Sequence, residues 1–123
     1  MNWRWLLWLA YAASWTIALV APVPDAENLP FGEELFDFRM VFAKTVHVSA
    51  YAVFAVLTGW LRVPLRCRLP LLFFLMLHGA GTEWMQEKLT STRSGSLNDV
   101  LLDHLGIAIG CCLSWKWWTR EEN

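Results

Sequence analysis

Apolar residues are concentrated in four long stretches of the chain. Two of them read "WRWLLWLAYAASWTIALVA" (3–21) and "VFAKTVHVSAYAVFAVLTGWL" (41–61). The other two read "LPLLFFLMLHGAGTEWMQE" (69–87) and "LNDVLLDHLGIAIGCCLSWKWW" (97–118). Each is close to the roughly 20 residues with which a helix crosses a hydrocarbon layer about 30 Å thick. The pattern predicts an all-α fold, a four-helix transmembrane bundle in a single domain over 1–123, with helices near 3–21, 41–61, 69–88 and 97–118.

The composition favours a membrane environment. Hydrophobic residues make up 56% of the chain and charged residues 17%, whereas soluble domains usually carry more charge. A net charge of −1 argues against a nucleic-acid partner, which needs a basic face. The first stretch resembles a signal peptide because Arg4 precedes an apolar run, but Pro22 and Pro24 make "VAPVPDA" a poor cleavage site. We therefore expect a retained helix, with membrane lipids as partners.

Loop charges predict the orientation. The 62–68 loop contains three arginines, whereas the 22–40 loop is acidic. The positive-inside rule places the 62–68 loop in the cytoplasm, and four helices then place both termini there. The cysteines, Cys67, Cys111 and Cys112, would face a reducing compartment, so no disulfide is expected. An aromatic belt is predicted at the inner ends, formed by Trp3, Trp5, Trp8, Trp60, Trp115, Trp117 and Trp118.

With this topology, polar residues of three helices and one loop fall at the outer membrane face. Within each helix they are three, four or seven residues apart, which puts them on one side of it. Because ionisable groups in a membrane are costly, they face the bundle interior or a water-filled cavity. The sequence predicts one outward-facing polar pocket, whose candidate ligand-binding residues are Lys44, His47, Tyr51, Glu83, Gln86, Arg93, Asp99 and Asp103.

Structural interpretations exist for several of these features. Ser96 and Asp99 form the S-x-x-D pattern of a helix capping box. His78 is expected to be a hydrogen-bonded packing residue on another side of the third helix. Gly106 and Gly110 form a G-x-x-x-G motif that allows close helix packing. The charged set as a whole is either an internally paired network or a site that binds a ligand, because a lone buried charge costs several kcal/mol.

The segments "AKTVHVSAY" and "EWMQEKLTSTRSGSLNDVLLDHLGIAIG" resemble the VanZ-like family of small bacterial membrane proteins. That family shows D-K-x-x-H-x-x-x-Y on its second helix, then E-x-x-Q, an arginine in the next loop, and D-x-x-x-N-x-x-G-x-x-x-G on the last helix. The matching positions are Lys44, His47, Tyr51, Glu83, Gln86, Arg93, Asp99, Gly106 and Gly110.

Two positions depart from the family pattern. Ala43 replaces the acid that precedes the lysine, and Asp103 replaces the usual asparagine. The resemblance implies a multi-pass protein of the bacterial inner or plasma membrane. The family is named for a glycopeptide-resistance gene whose product lowers susceptibility to teicoplanin, so the resemblance also implies a link to that resistance. No reaction is firmly assigned to the family.

The residues leave three kinds of function open. The first is binding of a cell-envelope precursor or a lipid headgroup, anionic or zwitterionic, at the polar pocket. The second is a membrane-embedded enzyme on a lipid-linked or envelope substrate, with His47 and Glu83 as acid and base. The third is a metal site of His47, Glu83, Asp99 and Asp103; it ranks last because no tight ligand spacing such as H-E-x-x-H occurs, and neither metal nor cofactor is expected. The apolar faces and the G-x-x-x-G motif also allow a homo-oligomer.

Overall fold

The protein is described here by a computed structural model, which covers residues 2–22, 33–90 and 95–121, with side chains in the second range from residue 38 onward. It contains α1 (Trp3–Val20), α2 (Glu33–Trp60), α3 (Leu65–Leu89), α4 (Leu97–Leu113) and the short α5 (Trp115–Trp118). The described residues form helices and no strands, which confirms the all-α class.

Three helix boundaries differ from the sequence prediction. Helix α3 begins at Leu65 instead of near 69, so Arg66 and Arg68 of the predicted 62–68 loop lie in its first turn. Helix α2 begins at Glu33, well before the predicted start near 41, because the residues ahead of that position are mostly good helix formers. The predicted helix 97–118 is divided at Ser114. The Ser114 hydroxyl donates to the carbonyl of Gly110 at 2.6 Å, which competes with the regular helical pattern at this residue.

Consecutive long helices run in opposite directions. At the start of α1, Arg4 donates to the carbonyl of Trp60 at 2.7 Å, and the Trp8 indole donates to Thr58 at 2.8 Å, so the start of α1 lies beside the end of α2. At the other end of the bundle, Glu83 near the end of α3 accepts a hydrogen bond from the Ser96 backbone N–H, just before α4. Helices α2 and α4 are therefore parallel to each other.

Helices α2 and α4 approach closely through glycine. A Cβ atom added at Gly106 would overlap the carbonyl oxygen of Val48, and one at Gly110 would overlap that of Ala52. The predicted helix contact at the G-x-x-x-G motif is confirmed. On α3, Gly79 also lies in a contact, since a Cβ there would be 3.2 Å from the Cβ of Asp103. Gly81, by contrast, is not at a helix contact, because a Cβ there would meet nothing within 4 Å.

The core of the bundle is apolar, and so is much of its exterior. Buried residues of the core include Leu19, Phe54 and Leu75. Large apolar side chains also face outward, among them Leu6, Ile17, Phe42, Val53, Phe73, Leu77, Leu101 and Leu113. Among the described residues, one segment, Phe38–Trp60 of α2, is by itself long and apolar enough to cross a membrane.

Tryptophans and arginines gather at one end of the bundle. The rings of Trp3 and Trp60 meet edge to face at 4.9 Å, and the Arg4 guanidinium lies 4.4 Å from the Trp60 ring centroid. Buried Arg68 donates to the carbonyls of Gly59 at 2.9 Å and Leu61 at 3.4 Å. Positive charge at these carbonyls favours the C-terminus of α2, where the helix dipole is negative.

Candidate functional site

Three ionisable residues from three helices meet inside the bundle, at the end opposite Trp3 and Trp60. His47 lies on α2, Glu83 on α3 and Asp103 on α4; we call them the acid–histidine cluster. The His47 Nδ1 atom is 3.0 Å from Asp103 Oδ1 and 3.9 Å from Glu83 Oε1. The Glu83 side chain is 3% exposed and that of Asp103 is fully buried.

Small residues let Asp103 reach this position. Gly106 lies one turn further along α4, and its contact with the α2 backbone brings the two helices close. Across from Asp103, Gly79 leaves space on α3, where a Cβ would lie 3.5 Å from Asp103 Oδ2. The Asp103 carboxylate therefore faces both α2 and α3, and a glycine allows α4 to approach each of them closely.

Glu83 is fixed by the start of α4. Its Oε2 atom accepts a hydrogen bond from the Ser96 backbone N–H at 3.2 Å, while the Ser96 hydroxyl accepts from the Asn98 N–H at 3.2 Å. In a capping box the acid three residues after the cap accepts the first of these bonds. Here Glu83 on α3 accepts it in place of Asp99, the residue expected from the sequence.

A second polar network lies beside the cluster and involves Tyr51. The Tyr51 hydroxyl is 2.9 Å from His78 Nδ1 and 3.2 Å from Thr82 Oγ1. His78 Nε2 is 2.8 Å from the Thr16 hydroxyl, which itself donates to the Ala12 carbonyl at 2.7 Å. Because Thr16 has one proton to donate, its oxygen accepts from Nε2–H, and Nδ1 then accepts from the Tyr51 hydroxyl. The predicted packing role of His78 is confirmed.

The other predicted site residues have different surroundings. Gln86 is buried and donates to the carbonyl of Leu19 at 2.8 Å, which joins α3 to the end of α1. Lys44 and Asp99 are half-buried. Arg93 lies outside the described residues, and over the described part of the chain the ion-pair partner of both Glu83 and Asp103 is His47.

Sequence reasoning did not single out Thr16 and Thr82, which complete the second network. A threonine in an apolar helix carries no distinctive signal, since its hydroxyl commonly bonds to a carbonyl of its own helix. Thr82 does this with His78 and Gly79 at 2.9 and 3.0 Å. Whether such a threonine also bonds to another helix depends on which helix packs against it, and a single sequence does not show this.

The acid–histidine cluster has unused hydrogen-bonding capacity. Glu83 Oε1 and Asp103 Oδ2 are buried and have no hydrogen-bond partner among the residues that the structure describes. Two carboxylates bring a formal charge of −2, and one imidazole offsets at most one of these charges. Buried charge that is not compensated costs several kcal/mol, so the arrangement is suited to binding a cation or a cationic group.

Comparisons of the chain with protein-family models, with curated protein sequences and with solved structures found no match. The functional argument therefore rests on the residue pattern and on the geometry of the cluster.

Proposed function

We propose that the chain is a VanZ-like, multi-pass protein of the bacterial inner or plasma membrane that binds the polar headgroup of a lipid or of a lipid-linked cell-envelope precursor. One observation carries the proposal: a buried acid–histidine cluster with two open carboxylate oxygens lies at one end of a helical bundle whose exterior is largely apolar. Through the family resemblance, the proposal extends to lowered susceptibility to teicoplanin.

The apolar exterior supports a membrane location for all four long helices. Ile17 on α1, Phe73 on α3 and Leu101 on α4 are 68%, 60% and 61% exposed. Soluble monomers rarely expose large contiguous apolar patches. Helix α3, with 25 residues, is about 37 Å long at about 1.5 Å per residue, enough to cross a hydrocarbon core.

The proposed orientation places the acid–histidine cluster on the extracytoplasmic side. Arg62 in the connection between α2 and α3 and Arg66 at the start of α3 are exposed at the opposite end of the bundle. Positive loops stay in the cytoplasm. The cluster then faces the extracytoplasmic side, where the cell envelope lies.

Labelling of single cysteines tests this orientation. In a variant without the native cysteines, we expect Asn98→Cys to react with a membrane-impermeant maleimide in spheroplasts, and Arg62→Cys to react only after permeabilisation. Both native side chains are exposed, so accessibility within the bundle does not limit the reaction. The reverse labelling pattern would place the cluster in the cytoplasm and contradict the proposal.

The end of the bundle that contains the acid–histidine cluster offers groups of both signs to a headgroup. Lys44 lies one turn before His47 on α2 and is half-buried, which suits the phosphate or another anionic part of the ligand. The buried carboxylates suit a positive charge that enters together with it. A headgroup with phosphate, either zwitterionic or accompanied by a cation, satisfies both requirements.

Native mass spectrometry of the detergent-purified protein tests headgroup binding. We expect a phosphate-bearing lipid or lipid-linked molecule to remain bound to the wild type, and Lys44→Gln to reduce the bound fraction several-fold. The matched control is Lys88→Gln, since Lys88 is exposed at the end of α3. If Lys44→Gln and Lys88→Gln retain the same fraction of bound lipid, Lys44 does not contribute to binding. If the wild type carries no bound molecule in any of several mild detergents, headgroup binding is contradicted.

A second candidate function is catalysis on the same class of ligand. The 3.0 Å contact between His47 Nδ1 and Asp103 is the arrangement in which a carboxylate orients an imidazole as general base. Glu83, 3.9 Å from the same nitrogen, would be the second acid–base group. If His47→Gln retains headgroup binding but loses phosphate release from a bacterial lipid extract, catalysis is supported; no release by the wild type argues against it.

A further inference from the structure

The acid–histidine cluster brings together the kinds of atoms that bind metal ions. His47, Glu83 and Asp103 each offer one nitrogen or oxygen atom, and these atoms lie within 4.8 Å of one another. Two ligands at about 2.1 Å from one ion are about 3.0 to 3.5 Å apart, given usual metal–ligand distances. The 3.0 Å pair already has this spacing, and the 3.9 Å pair needs a movement of under about 1 Å to reach it.

From this geometry we infer that His47, Glu83 and Asp103 bind a divalent metal ion of the Mn²⁺ or Zn²⁺ type. One imidazole with two carboxylates is a donor set that suits these ions. The separation of the three residues along the chain, with 35 residues between His47 and Glu83 and 19 between Glu83 and Asp103 by their numbers, explains why no compact ligand motif marks the site in the sequence.

The open carboxylate oxygens are an independent observation that points to a ligand. Glu83 is 3% and Asp103 0% exposed, yet each has one oxygen without a hydrogen-bond partner among the described residues. Buried acceptors are nearly always satisfied in native proteins, and an ion is one of the explanations for an exception. A metal ion bound to Glu83 Oε1, with the Asp103 carboxylate as a bidentate ligand, would satisfy both oxygens.

The formal charge of the cluster also favours a divalent ion. Two carboxylates with a neutral imidazole carry a formal charge of −2, which one divalent ion balances. A monovalent cation leaves one buried negative charge, whose cost is several kcal/mol. The cluster is therefore matched to a doubly charged ion.

The surroundings of the ligands hold them in place. The second oxygen of Glu83 is fixed by the Ser96 N–H at 3.2 Å. Asp103 of α4 packs against Gly79 of α3. Outer hydrogen bonds of this kind orient metal ligands and typically change affinity about 10- to 100-fold. Most of the arrangement of the three ligand side chains is therefore present before the ion binds.

An ion at this position would also account for how a carboxylate-rich cluster accepts a phosphate. Three protein ligands leave open positions on the metal, as in zinc sites that bind water or substrate. A phosphate oxygen of a headgroup would fill one of them. This step rests on the proposed headgroup function, whereas metal binding itself does not.

Binding of Mn²⁺ alone, followed by electron paramagnetic resonance on delipidated protein in detergent, tests the inference. Mn²⁺ is the better probe because the three thiols of this chain compete for Zn²⁺, and Mn²⁺ prefers oxygen ligands. We expect one ion per chain, and at least a tenfold loss of affinity in Glu83→Gln and in Asp103→Asn. The matched control is Glu87→Gln, an exposed position one turn along α3, with affinity within twofold of wild type.

Two further readouts keep the result interpretable. Spin-echo modulation from one nitrogen ligand is expected in the wild type and absent in His47→Gln. Mn²⁺ is expected to raise the melting temperature of the wild type and not that of Glu83→Gln. The glutamine still accepts from the Ser96 N–H at the start of α4, so the fold is kept. If Asp103→Asn does not fold, the other two variants decide.

Absence of binding at millimolar Mn²⁺, or equal binding by wild type and folded Glu83→Gln, would overturn the metal site. Headgroup binding that persists undiminished in a chelator would overturn the bridging role of the metal and leave the proposed function intact. Metal binding without any retained headgroup would leave the metal site intact and contradict the proposed headgroup function.

Discussion

Replacing Gly110 by leucine is expected to cause the largest loss of stability of any single change in the bundle. A Cβ at this position would overlap the carbonyl oxygen of Ala52 and lie 2.7 Å from the Cβ of Ala55. Backbone atoms cannot rotate away as a flexible side chain can, so α4 must move off α2. Overpacking a core costs about 1 to 3 kcal/mol when side chains can adjust; here we expect at least about 3 kcal/mol, since a helix–helix contact is lost.

Tryptophan fluorescence during thermal unfolding in detergent measures this effect. We expect a fall of many degrees in the melting temperature of Gly110→Leu. Gly81→Leu is the matched control, because a Cβ at Gly81 meets nothing within 4 Å and leucine is the better helix former. If the two variants melt alike, Gly110 does not determine the spacing of α2 and α4.

Replacing Glu83 by glutamine is expected to remove ligand binding while the fold is kept. Glutamine retains the shape of the side chain and an oxygen that accepts from the Ser96 N–H, so the start of α4 stays capped. The negative charge is lost, and with it about half of the attraction of the acid–histidine cluster for a cation. We expect at least a tenfold fall in the retained headgroup, and a melting temperature that is unchanged or higher, since a buried charge is expensive.

The comparison with two neighbouring changes separates charge from structure. Glu87→Gln removes the same charge from an exposed position on α3 and is expected to bind as the wild type does. Glu83→Ala also removes the acceptor of the Ser96 N–H, which adds a loss of about 1 kcal/mol in stability. Undiminished headgroup retention in Glu83→Gln would show that its charge has no part in binding.

The helices could be predicted closely from the sequence because each apolar run has strong boundaries. The connection after Trp60 contains Pro64, and Ser96 is a standard cap before α4. The early start of α2 was not predicted because acidic residues are mixed with apolar ones between 33 and 38, so these residues were assigned to the acidic 22–40 loop. The break at Ser114, whose hydroxyl donates to the Gly110 carbonyl, leaves no mark on the hydropathy pattern.

The candidate site could be predicted only as a set of helix faces. Spacing places Lys44, His47 and Tyr51 on one stripe of α2, but it does not say which of them meets Asp103. That choice follows from the close approach of α2 and α4, which brings His47 to Asp103 and directs Tyr51 to His78. Contacts between distant segments, such as Gln86 with the Leu19 carbonyl, depend on how helices are arranged, and a single sequence does not record that.

The close pairing of α2 with α4 also has a consequence for the order of biosynthesis. Their contact at Gly106 and Gly110 joins segments between which all of α3 must first be synthesised. Until the ribosome has released α4, the backbone of α2 at Val48 and Ala52 lacks the partner that covers it, and His47 lacks its acid. A nascent chain that stops after α3 therefore leaves this groove on α2 uncovered, and only α4 completes it.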